Sequence, residues 1–115
     1  MNNMNYWEIP TTDIGKTTKF YSELFGWKME KSSDKYYMFS VEGGLGGGIQ
    51  QVEEPPGHGV AVYVQVEDIP ATLKRVEELG GTVLHQKTEI GGDWGYWADF
   101  KDPGGCRSIG LWSRT

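Results

Sequence analysis

At 115 residues with a formal net charge of −5, 11 Lys and Arg against 16 Asp and Glu, the chain lacks the clustered cations that neutralise a phosphate backbone, so nucleic acid is excluded as a partner. No apolar run approaches the roughly 18 residues needed to cross a membrane, and no basic-then-apolar leader is visible. The expectation is a cytoplasmic protein with no membrane partner, and the single Cys106 allows no internal disulfide. Seventeen glycines, five Trp, six Tyr and four Phe imply many turns and large flat side chains that need a core, a pocket or a partner.

Residues 1–5 read as a frayed or edge segment. A strand over about 5–10 puts Trp7 and Ile9 on one face and Tyr6, Glu8 and Pro10 on the other, because side chains alternate along a strand. Asp13 is placed to cap a helix, its carboxylate accepting first-turn amides. Ile14, Thr17 or Thr18, Tyr21, Leu24 and Phe25 then recur at helical spacing as one buried stripe, up to the stop signal Gly26. Strands follow at 27–30 and 36–41. The run EGGLGGG (42–48) suggests a phosphate loop, but it leads into a strand at 49–52, not a helix, and no Lys and Ser/Thr pair follows it. It reads instead as a turn and a strand whose missing side chains leave room for a neighbour or a ligand.

The segment 53–59 (EEPPGHG) is a linker whose two prolines cannot extend a ladder, and His58 reads as a solvated loop histidine. In the next strand Val60, Val62, Val64 and Val66 form an aliphatic face suited to packing on helices, while Ala61, Tyr63 and Gln65 form the other face. Asp68 caps a second helix carrying Ile69, Leu73, Val76 and Leu79, ended by Gly80 and Gly81. Strands at 82–87, 96–101 and 107–112 complete the chain. The order is a repeat. Residues 6–30 meet 61–85 at a shift of 55 without a gap, with seven identities including Asp13/Asp68, Ile14/Ile69 and Gly26/Gly81. The later part of each half matches at a shift of 60, through Tyr36/Tyr96, Gly44/Gly104 and Ile49/Ile109. Two β-α-β-β-β modules, about 5–52 and 60–113, in one α+β domain are expected.

These modules, the segment with Asp13, Ile14, Phe20, Tyr21, Phe25, Gly26 and Trp27, and the turn Asp102, Pro103 and Gly105 resemble the vicinal oxygen chelate superfamily of glyoxalase I, bleomycin-resistance proteins and extradiol dioxygenases. The resemblance spans nearly the whole chain. It implies the glyoxalase/bleomycin resistance/dioxygenase fold, a cup-shaped mixed sheet with helices outside and a ligand inside, frequently as a homodimer. Catalytic members hold one divalent ion with His, Gln or Glu from the first, fourth, fifth and eighth strands. The places that match here carry Tyr6, Ile49 or Gln50, Ala61, and Ile109 or Gly110. None is a histidine or a carboxylate, so no metal cofactor is expected.

A ligand site needs aromatic area and a few polar groups for orientation. The residues placed to supply them are Tyr6, Glu8, Gln50, Ala61, Tyr63, Gln65, Trp94, Trp97 and Trp112, with Tyr37 a further aromatic of the same kind. Trp7, Phe25 and Trp27 fit core positions. Glu8, the one carboxylate facing inward by parity, is the candidate catalytic base. The first reading is metal-free binding of a small, partly aromatic molecule. The alternatives are a glyoxalase-type lyase or isomerase that works through Glu8 or a rebuilt ion site, and a pure assembly domain.

Overall fold

The computed structural model describes residues 1–54, 59–104 and 109–115; the linker His58, the turn residue Gly105, and Cys106 with its neighbour Arg107 lie outside them. The chain divides into two compact units, Tyr6–Ala61 and Met1–Asn5 with Val62–Thr115. The elements are β1 (Met4–Thr11), α1 (Ile14–Phe25), β2 (Lys28–Ser33), β3 (Tyr36–Ser40), β4 (Gly47–Gln51), β5 (Ala61–Gln65), α2 (Ile69–Glu78), β6 (Thr82–Glu89), β7 (Tyr96–Lys101) and β8 (Ile109–Ser113). None of the described helices is long and apolar enough to cross a membrane.

In the first unit β4 lies between β1, parallel to it, and β3, antiparallel, with β2 antiparallel to β3. The second unit repeats this, β8 lying between parallel β5 and antiparallel β7, with β6 beyond. Both helices start as the sequence predicts. The Asp13 and Asp68 carboxylates accept from the Lys16 and Ala71 amides at 3.0 Å, and Gly26 takes the left-handed conformation at φ 73° with its amide bonded to Ser22. A further restraint lies far away in sequence: Gln51 accepts from the Ile14 amide at 2.9 Å and donates to the Thr12 carbonyl at 2.6 Å. Residues 1–5 are not frayed, because the Asn2 amide donates to the Gln65 carbonyl and the Gln65 amide to the Asn3 carbonyl.

The cores follow strand parity. Ile9, Phe39 and Ile49 form the first, flanked by Trp7, Ile14, Tyr21, Trp27, Met29 and Val41. Val66, Ile69, Leu73, Ala98 and Leu111 form the second, with Val64, Val83, Tyr96 and Phe100 against it. Val64 and Val66 therefore pack on α2, whereas Val60 precedes β5 and is exposed. Two expectations are corrected. The α1 stripe is not buried, since Leu24 and Phe25, at the end of the helix, are more than half exposed. Between β4 and β8 the late repeat is offset by 62 and not 60: Glu8 stands opposite Gly48 and Tyr63 opposite Gly110, which makes Leu111 the counterpart of Ile49.

Candidate functional site

The face of the first unit turned away from α1 carries a chain of oxygens. Parity along β1 sets Tyr6 and Glu8 there, opposite to Trp7 and Ile9 in the core. The β3–β4 register brings Tyr36 opposite Gln50, and Glu8 is opposite Gly48. The Tyr36 hydroxyl donates to Glu8 Oε2 at 2.8 Å, and the Tyr6 and Tyr36 hydroxyls lie 2.5 Å apart. An ionised carboxylate only accepts, so the Tyr36 proton is committed to Glu8 and the Tyr6 proton to Tyr36. The chain runs one way, Tyr6 to Tyr36 to Glu8. Gly48 makes room for it: a Cβ there would overlap the Tyr36 and Tyr6 hydroxyls. The glycine-rich run thus opens space beneath two phenols.

The electrostatics follow from this geometry. Burial raises the Tyr36 phenol well above the ordinary range, and the Glu8 charge beside it pushes the same way. Burial also raises Tyr6, partly offset by its bond to Tyr36. Both phenols stay protonated in the folded chain at pH values where an unfolded chain, with tyrosine pKa near 10, would lose them. The stability linked to them is complete below about pH 10 and falls as pH rises, chiefly through Tyr36, by at most about 1.4 kcal/mol per pH unit for that group. Urea unfolding between about pH 8 and 11 is expected to show this alkaline loss, flattened in Tyr36→Phe and less so in Tyr6→Phe. An alkaline limb unchanged in both variants would mean that the phenols ionise as in a free chain.

The remaining candidates fall as follows. Gln50 is exposed on the Glu8 face, its neighbour Gln51 being the one that holds α1. Ala61 opens β5 and is half-buried. In the second unit Tyr63 and Gln65 share the face of β5 turned away from the core, and the Tyr63 ring lies over Gly110, where a Cβ would meet it. Trp97 and Trp112 are cross-strand partners on that face. Trp112 donates its indole N–H to the Trp94 carbonyl at 2.8 Å, and the Trp94 ring is exposed in the loop before β7. Tyr37 stands opposite Ile49, on the core side of β3, so Tyr36, which the sequence reading did not choose, is the phenol of the site. Of the three aromatics placed in the core, Trp7 and Trp27 pack there and Phe25 is 58% exposed.

The donor set does not fit a chelated ion. On the first unit's face Glu8 has one oxygen bonded to Tyr36 and a glycine opposite it on β4, and the other carboxylate that the register sets there, the exposed Glu30, lies three strands away on β2. Ile49 is fully buried in the core. Among the described residues no three of His, Cys, Asp and Glu come together, and three N or O ligands are about the least such a centre needs.

Residues 3–108 match the model of the Glyoxalase/Bleomycin resistance protein/Dioxygenase superfamily. The chain belongs to this family, and the eight strands and two helices of the described residues are the family's α+β fold. It is 34% identical over 93 residues to a glyoxylase-like domain-containing protein of Didymella fabae, covering 73% of each chain. It is 30% identical over 128 residues to the anthracycline biosynthesis protein DnrV of Streptomyces peucetius, covering 95% of this chain and 46% of that protein. The chain therefore spans less than half of that relative. In structure it resembles the Mn(II)-bound glyoxalase of Novosphingobium aromaticivorans with a TM-score of 0.76 at 16% identity, over 98% of this chain and 39% of the other; likeness at that identity is a likeness of fold.

Proposed function

We propose that this chain binds a small, hydroxylated or amine-bearing organic molecule on the Tyr6–Tyr36–Glu8 face, without a metal ion. The oxygen chain over Gly48 carries the reading: two phenolic oxygens and a carboxylate stand side by side on one face of the sheet, an array suited to orienting a hydroxylated or amine-bearing ligand by hydrogen bonds. The donor set described above supports a site that works without an ion. A relative named for anthracycline biosynthesis fits the same ligand class, polyhydroxylated aromatics. Assembly as a homodimer belongs to this reading and is tested by light scattering.

Tryptophan-fluorescence titration of the intact chain against hydroxylated aromatics is expected to find binders. Tyr36→Phe, which removes the hydroxyl between Tyr6 and Glu8, should weaken them about tenfold, the scale of a hydrogen bond to a charged group. Tyr63→Ala tests whether the second unit contributes. Affinities indifferent to Tyr36→Phe would remove the site from the first unit. Turnover in glyoxalase-type assays that appears only with added nickel, zinc or manganese would replace this reading by a lyase or isomerase acting through Glu8 or an ion site.

A further inference from the structure

The second unit holds a histidine–carboxylate pair that is independent of the oxygen chain. The β6–β7 register runs Val83↔Phe100, His85↔Asp99, Thr88↔Trp97, so β6 uses two residues where β7 uses one, then three where β7 uses two. Strict alternation from Val83, which packs on the core, would put His85 on the core side. The extra residue Leu84 turns it over, and His85 faces Asp99 and Trp97 instead. Bulges re-aim side chains in this way, and they gather beside functional sites.

His85 Nδ1 lies 2.8 Å from Asp99 Oδ1, with the Asp99 side chain 19% exposed and the imidazole 62% exposed. An ionised carboxylate cannot donate, so Nδ1 carries the proton and the neutral ring keeps its lone pair on Nε2. The Trp97 ring sits beside it, centroids 5.2 Å apart at 47°. Trp112, the next ring on this face, is already covered by the Arg114 guanidinium. We propose that His85, oriented by Asp99 and flanked by Trp97, is a second binding site, which accepts a hydrogen bond at Nε2 from the hydroxyl of a planar aromatic ligand lying on Trp97.

Two probes that share a ring and differ in the donor test this: 2-naphthol and 2-methoxynaphthalene, titrated calorimetrically into the intact chain at about pH 8, above the ordinary histidine range. The naphthol is expected to bind about five- to tenfold tighter, the scale of one net hydrogen bond. That preference should vanish in His85→Phe, shrink in Asp99→Asn and persist in Tyr36→Phe. Nitrogen-15 spectra should show His85 protonated at Nδ1, and Asp99→Asn should mix the two tautomers, because an amide can donate as well as accept. Equal affinity for the probes, no binding of either, an Nε2-protonated ring, or a preference that survives His85→Phe would overturn the proposal. A preference lost in Tyr36→Phe and kept in His85→Phe would assign the ligand to the first unit alone.

Discussion

Gly47→Ala is expected to cost about 3 kcal/mol or more, or to leave no folded protein, as read by urea unfolding and far-ultraviolet circular dichroism. Gly47 is buried at the start of β4, opposite Trp7 of β1 on one side and Phe39 of β3 on the other. A methyl group at this point would fall on the Trp7 carbonyl oxygen and press on the Phe39 ring. The obstacle is backbone in a paired strand, which cannot swing aside as a side chain can, and overpacking of this kind is among the costlier single changes. Gly110→Ala is the comparison: the nearest atoms its methyl would meet belong to the Tyr63 ring, a side chain and not paired backbone, so the loss should be visibly smaller. Equal losses at the two positions, or a stable Gly47→Ala protein, would show that β1 and β4 are not paired as described.

Trp27→Ala is expected to destabilise by about 3 kcal/mol, the low end for removing a large aromatic side chain because this one is half-buried. The indole follows the Gly26 cap of α1 and joins the helix to the sheet. It stacks on Phe39 at 4.6 Å and on Tyr21 at 5.2 Å, and meets Trp7 edge-on at 5.8 Å. Its removal opens the seam along which α1 is attached, since α1 itself contributes no buried residue. Leu24→Ala, on the exposed end of that helix, should fall within about 1 kcal/mol of wild type. If both variants cost the same, the attachment of α1 does not depend on the ring cluster.

What could be read from sequence were the features with a local cause. Alternation separates Tyr6 and Glu8 from Trp7 and Ile9 without knowledge of any partner strand, and a cap such as Asp13 acts on amides three residues away. Long-range register could not be read. In YYMFSV either tyrosine could face the ligand side, and only the β3–β4 pairing selects Tyr36 over Tyr37. Glycines carry no face preference, so EGGLGGG could not fix the offset between β4 and β8 at 62. The same applies to Gln51, adjacent to the chosen Gln50 but pointing to α1. The pairing of His85 with Asp99 has a different cause, a bulge in β6 that strand alternation does not anticipate.

The matched glycines of the two central strands bear on how the halves could diverge after a gene duplication. Opposite Gly48 the first copy places a carboxylate, and opposite Gly110 the second places a phenol ring. The space over Gly48 is taken by the Tyr36 and Tyr6 hydroxyls and that over Gly110 by the Tyr63 ring, so changes at these few aromatic positions re-specialise one half while its helix, caps and core stay as they were.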